Sequence, residues 1–263
     1  MACGGAAQPA SSGSAPTASK ESRGGGNGLR KSARQARIVL SPKEIANGCP
    51  SEMASIEGRF CVDRYEGSLV EELPNGEEQA WSPYKSVEGH SVRAVSVAHV
   101  VPQGYISADQ AVQACARAKK RLCKPAEWRK ACMGPLKTIY PYGNTNQPRR
   151  CNDHGANPIA ATFGVAAPRR VHEWDAMNFP MLNQVDNTLA KSGEHSGCTN
   201  GYGVFDMVGN IHEWVADPKG TFYGGYYQDT HQQGDGCNYV TVAHTASYHD
   251  YSTGFRCCAD TSR

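Results

Sequence analysis

The stretch "DMVGNIHEWVADPKGTFYGGYY", residues 206–227, concentrates the groups best placed to do chemistry. Asp206 and Glu213 bracket a tight Gly209-Asn210 turn, and two carboxylates seven residues apart meet only where the chain doubles back, which the glycine permits. Hard oxygen donors of this kind, joined by backbone carbonyls, suit calcium. The same spacing also suits a plain surface turn. "HEW" occurs twice, at 172–174 and 212–214, but a zinc-protease helix needs a second histidine four residues after the first, and those positions hold Ala176 and Ala216. No G-x-S-x-G, P-loop or G-x-G-x-x-G pattern is present, which disfavours an α/β-hydrolase, a nucleotide hydrolase and a dinucleotide oxidoreductase.

Further along lie Asp229, His231, His244, Tyr248, His249 and Asp250. Two histidines and a carboxylate can form an iron(II) facial triad, so His231, His244, His249 and Asp229 are the candidate catalytic residues. Ordinary surface or hydrogen-bonding histidines are the alternative.

These groups must be positioned by a chain of 263 residues with 39% apolar content, enough for one sizeable core. Residues 1–37 are Ala, Ser, Pro and Gly followed by scattered basic residues, and they read as a disordered tether ahead of a domain over 38–263. The net charge of +2 gives no reason to expect nucleic acid as a partner. Short apolar runs in "GRFCVDRYEGSLV" and "VRAVSVAHVVPQGYIS" predict strands separated by turns. One region is strongly helical: Ser107 and Gln110 make a capping box, followed by Ala111, Ala114, Cys115 and Ala118 at helical spacing. Pro125 suits the first turn of a second, shorter helix carrying Trp128 and Cys132. From Gly143 onward the chain is turn-rich, so regular structure is expected to be sparse.

The eleven cysteines include no C-x-x-C pair, which argues against zinc ribbons and thioredoxin-type motifs. Disulfides account for them better and predict an extracytoplasmic location, in the periplasm or on the cell surface. Cys3 stands apart in "MACGG", a setting like a lipoprotein processing site, and it is the candidate lipidation residue. An unremarkable N-terminal cysteine fits equally well. A lipid anchor is the only membrane attachment expected, because no segment approaches the ~18 apolar residues of a span.

"NGYGVFDMVGNIHEWV", the double glycine Gly224-Gly225, "TGFRCCAD", "KRLCKPAEWRKAC" and "YPYGN…CN" together resemble the formylglycine-generating enzyme, or sulfatase-modifying factor, family. The motifs run in the family's order from about Tyr105 to Asp260. The resemblance implies a single irregular α+β domain related to the C-type lectin architecture, disulfide-rich and low in regular secondary structure. It also implies calcium, held by the side chains of Asp206 and Glu213 and the backbone oxygens of Gly209 and Ile211. A second calcium site would begin at Asn152 with the carbonyl of Asp153, its other ligands falling near Asp186 to Thr188. His212, where the family carries an aromatic residue, is expected to pack beside the calcium turn as neither ligand nor base. Two family disulfides carry over as Cys115–Cys257 and Cys132–Cys237. Cys49 and Cys61 are expected to close an N-terminal hairpin, which leaves the pairing of Cys123, Cys151, Cys198 and Cys258 open.

One departure bears on activity. Family oxidases bind copper(I) through two cysteines shortly after the double glycine, whereas here the approximate positions hold Asp229 and Gln232, and oxygen ligands suit copper(I) poorly. The expected function is therefore a calcium-stabilised, monomeric binding module for a protein or glycan partner, without copper-dependent formylglycine generation. The alternative is an oxidoreductase acting on a protein cysteine or small thiol, with iron as its metal; relatives of this fold in sulfoxide synthesis are non-haem iron enzymes.

Overall fold

A computed structural model describes residues 45–46, 48–164, 174–242 and 244–262. The expected tether over 1–37, Cys3, the onset of the domain at 38, and His172 and Glu173 lie outside the described residues.

The architecture is α+β, with short strands in several small sheets and long connecting loops. A short ladder pairs β1 (Ile45–Ala46) with β2 (Cys49–Pro50). A second sheet has the order β3 (Met53–Ile56), β4 (Phe60–Asp63), β13 (Cys257–Asp260), β8 (Arg121–Leu122). A third is formed by β6 (Glu78–Ala80), β5 (Gly67–Glu72) and β7 (Val92–Ser96). The fourth runs β11 (Val240–Thr241), β10 (Phe222–Tyr223), β9 (His212–Trp214), β12 (Thr253–Phe255). Three of these strands, β4, β5 and β7, begin within the two runs whose composition predicts strands.

The helix α1 (Ala108–Arg117) begins at the predicted capping box, with the Ser107 side chain accepting from the Gln110 amide and the Gln110 side chain accepting from Ser107. It buries Ala108, Ala111, Ala114 and Cys115 on one face. Pro125 opens α2 (Pro125–Met133), where its missing N–H costs nothing, and Trp128, Ala131 and Cys132 face inward. Two short pieces, α3 (Pro158–Phe163) and the single-turn α4 (Trp174–Met177), follow among the described residues.

Apolar packing falls into two main clusters, one around Trp128, Met207 and Val215 beneath α2, the other around Trp214, Phe255 and Ile106 beneath α1. The indole of Trp214 donates to the Ile106 carbonyl at 2.8 Å, so its one polar group is satisfied in the core. Five disulfides cross-tie the layers: Cys49–Cys61, Cys115–Cys257, Cys123–Cys258, Cys132–Cys237 and Cys151–Cys198. The two pairings left open by sequence thus use the neighbouring Cys258 against Cys123 and the spatially adjacent Cys151 and Cys198. No helix among the described residues is long and apolar enough to cross a membrane.

Candidate functional site

The positioning of the site starts with a parallel pairing. Strand β9 lies beside β12 with His212 opposite Thr253, Glu213 opposite Gly254 and Trp214 opposite Phe255. Gly254 is required at this register, since a Cβ there would meet Ile211 Cγ2 at 2.8 Å. The pairing delivers Arg256 to Glu213. Its Nη2 and Nε donate to Glu213 Oε1 at 2.7 and 3.1 Å, Nε also reaches Oε2 at 3.0 Å, and Trp128 Nε1 donates to Oε2 at 2.7 Å. The remaining guanidinium donors reach the carbonyls of Asp63 and Phe205 at 2.8 and 2.7 Å. Arg256 is 0% and Glu213 1% exposed, so a fully desolvated ion pair sits at the centre of the domain. Burial disfavours the guanidinium's charge, but the Glu213 carboxylate outweighs it and holds the Arg256 pKa above its ordinary value.

A carboxylate oxygen has two acceptor directions, and all four of Glu213's are taken by Arg256 and Trp128. In this structure Glu213 neutralises Arg256. Joining a cation would require it to release one of those bonds.

Asp206 lies in the left-handed region with φ +56° and is buried, its Oδ2 accepting from the Gly193 amide at 2.6 Å. Desolvation pushes its carboxyl up to about 7; the Gly193 amide and Arg256 act against the shift, and the charges of Glu213 and Glu194 add to it. Glu66, fully buried, accepts from Ser192 Oγ at 2.8 Å and from Asn210 Nδ2 at 2.9 Å. Its carboxyl is pushed well above the usual range by burial first and then by Asp206 and Glu213. Three buried carboxylates thus face a single guanidinium, an arrangement short of positive charge.

The two calcium segments read from sequence are brought together. Gly209, at φ +78°, packs so tightly on residue 152 that a Cβ would fall 2.3 Å from the Asn152 carbonyl oxygen. The Asn210 amide donates to that same oxygen at 2.8 Å, and Asn152 Nδ2 donates to Asn210 Oδ1 and to the Thr188 carbonyl, both at 2.8 Å. A cleft of about 330 Å³ opens beside this junction, lined by Asn152, Asp186, Asn187, Thr188 and Glu194 among others. The Asp153 side chain, as distinct from the carbonyl expected to bind, accepts at Oδ1 from the Arg149 amide and contacts His154 Nδ1 at 2.7 Å. Among the described residues no three His, Cys, Asp or Glu side chains converge closely enough to hold an ion, so a cation here would also draw on backbone oxygens, which calcium accepts. The carbonyls of Gly209 and Ile211 accept no turn or loop hydrogen bond among the described residues.

The candidate catalytic residues are not assembled into a triad. Asp229 Oδ1 accepts from the amides of His231 and Gln232, and its Oδ2 accepts from Tyr239 Oη, which makes it the anchor of the turn after the double glycine. His231 contacts Asp235 and Asn146, His249 contacts Asn178, and His244 stacks between Phe222 and Tyr248. Each histidine thus has separate structural work. His212 packs among Phe222, Tyr226 and Tyr239 at ring distances of 4.5, 4.9 and 5.5 Å, and its Nδ1 has no hydrogen-bond partner. Burial pushes its imidazole down to about 3, a neutral ring filling an aromatic slot.

Residues 60–261 match the sulfatase-modifying factor enzyme 1-like domain. The chain belongs to this family. The formylglycine-generating enzyme of Mus musculus is 29% identical over 165 residues, covering 58% of this chain and 40% of that protein. That of Thermomonospora curvata is 30% identical over 188 residues, covering 60% and 55%. An inactive C-alpha-formylglycine-generating enzyme 2 from Bos taurus is 34% identical over 118 residues, covering 44% and 32%. The chain spans about half or less of the length of these relatives.

In this sulfatase-modifying-factor domain, sequence reasoning missed Glu66, Ser192 and Asn210 as members of the buried polar network, and the pairing of Arg256 with Glu213. The only signal was positional: Glu66 directly precedes the apolar start of β5 in "FCVDRYEGSLV", and Arg256 stands between Phe255 and two cysteines.

Proposed function

We propose that this sulfatase-modifying-factor domain is a calcium-stabilised binding module that works outside the cytoplasm and lacks copper-dependent formylglycine generation. The observation that carries the reading is the state of the thiols. All ten described cysteines are joined in disulfides, and Asp229, near the position of a copper cysteine in the family, anchors a turn. A disulfide sulfur is not the soft thiolate that copper(I) needs. Similarity to a relative named inactive points the same way.

Calcium is supported by the surplus of buried carboxylate over guanidinium charge. Asp206, with the carbonyls of Gly209 and Ile211, is the set that would hold the ion, and Asn152 with the cleft about Asp186 and Thr188 the set for a second. Bound calcium would supply positive charge that keeps Asp206 and Glu66 ionised and the two segments locked together. The five disulfides fit an oxidising compartment. Attachment through a lipid on Cys3 is a further part of the proposal, tested by incorporation of a labelled lipid precursor in wild type and its loss in Cys3→Ala.

A binding role is supported by an aromatic surface. Trp174 is 48% exposed and stands 4.6 Å from the His249 ring, while Phe163 and Phe179 are half-exposed with rings 5.8 Å apart. Exposed apolar groups gathered in one area mark interaction surfaces. The test is incubation with a cysteine-containing sulfatase peptide, copper(I) and a reductant, read by peptide mass. An unchanged peptide is expected; conversion of its cysteine to an aldehyde would establish the oxidase instead.

A further inference from the structure

A second buried charge pair lies apart from the Glu213 centre. Lys119 adopts a left-handed conformation, φ +59°, just after α1, and the Lys120 amide donates back to the Cys115 carbonyl at 2.9 Å. This corner turns the Lys120 side chain inward, where it is 4% exposed. Its Nζ stands 2.5 Å from Oδ1 of Asp63, the last residue of β4, whose side chain is 0% exposed. The other oxygen, Oδ2, has no hydrogen-bond partner. Glu52 completes the group with Oε1 3.5 Å from the same Nζ. The charged groups that act on Asp63 are Lys120, Arg256 and Glu52.

A plain ion pair accounts poorly for this geometry. A wholly buried pair needs its remaining acceptors satisfied to offset desolvation, and here one carboxylate oxygen is bare. An amine and a carboxyl held at this distance in a dry site are also the reactants of an amide condensation. Fixed in contact, such groups reach effective molarities of about 10⁵–10⁸ M, and the Lys120 and Asp63 side chains are 4% and 0% exposed.

We propose that Lys120 and Asp63 join in an intramolecular isopeptide bond, with Glu52 as the proton carrier. A proton passes from Lys120 Nζ to the Asp63 carboxylate within the pair, and the nitrogen then attacks Asp63 Cγ. Glu52 takes a proton from the nitrogen and returns one to the departing hydroxyl. One C–N bond forms, one C–O bond breaks and one water leaves; no oxidant or reductant takes part. Burial pushes the Asp63 carboxyl above its usual range, against the pull of Lys120, which favours the protonated reactant. The product removes two buried charges and the unsatisfied oxygen together. It would tie β4 to the corner leading into β8 across β13, the strand between them that already carries Cys257 and Cys258.

The test is mass spectrometry of the full chain, folded, then reduced, alkylated and digested. The expected result is a branched peptide joining the segments of Asp63 and Lys120, lighter than their sum by one water. Glu52→Gln, shown to be folded by its circular dichroism and melting, should form the branched peptide about a hundredfold more slowly, the size of effect a general acid–base group supplies. Lys120→Arg should yield none. Folded wild type giving only the two separate, unmodified peptides overturns the bond, and a Glu52→Gln variant that cross-links at the wild-type rate overturns the role of Glu52.

Discussion

Arg256 and Glu213 meet in a forked ion pair, Nη2 to Oε1 at 2.7 Å and Nε to Oε2 at 3.0 Å, with neither side chain reaching water. The register of β9 against β12 creates this pair, and the pair in turn fixes Trp128, so one relationship couples the helical layer to the parallel strands. Removing one member of a buried pair strands the other charge at about 3–5 kcal/mol. Glu213→Gln should therefore lower the melting temperature whether or not calcium is present, and Glu213→Gln with Arg256→Met should recover part of the loss. Equal melting of wild type and the single variant would show that the pair carries no stability.

Asp206 should behave differently. Saturating calcium at about a hundred times its Kd adds about 2.7 kcal/mol to a protein that binds it only when folded, which for a domain of this size is a rise of about 5–10 °C. That rise should vanish in Asp206→Asn, whose melting temperature in chelator should match or exceed that of wild type because one buried negative charge is gone. Calorimetry of both proteins with and without calcium decides it; the same calcium-dependent rise in the variant would exclude Asp206 as a ligand.

His212 gives a pH-dependent prediction. Its folded pKa, about 3, lies below the unfolded value of 6.5, so the folded state excludes the proton. The associated stability is present above pH 6.5 and is lost as pH falls from there toward 3, reaching about 2 kcal/mol at about pH 5. His212→Phe keeps a ring in the slot, removes the unsatisfied Nδ1 and does not titrate. Its stability advantage over wild type should widen between neutral pH and pH 5. An advantage that stays constant, read from denaturant midpoints at each pH, would contradict the buried neutral ring.

The disulfide between Cys115 and Cys257 spans 142 residues and ties α1 to β13. Replacing both cysteines by alanine should cost about 5 kcal/mol in the chain-entropy description, the stability being measured by urea unfolding under non-reducing conditions. A loss under about 1 kcal/mol would show that β13 is held by its ladder and by the adjacent Cys123–Cys258 bridge.

Much of the architecture was legible because it is written in local chemistry. Ser107 and Gln110 announce the start of α1, and Pro125 that of α2, through backbone groups only a few residues away. Residue spacing pointed to the segment from Asp206 to Glu213, and family resemblance added its neighbour at Asn152; the structure places the two in contact. What could not be read is long-range. Arg256 and Glu213 are 43 residues apart in the chain, and Glu66 and Asn210 are 144 apart; nothing local in "DRYEG" says that a carboxylate will be buried there. The histidines after the double glycine were legible as residue types only. Their separation into independent contacts with Asp235, Tyr248 and Asn178 is set by turns that no periodicity records.

The measurement that tests the central claim most directly is the metal content of the full chain, purified from an oxidising compartment without chelators. The account predicts one or two equivalents of calcium, no bound copper, and no titratable thiol among Cys49 to Cys258. Stoichiometric copper, retained through gel filtration and accompanied by reduced cysteines, would contradict it.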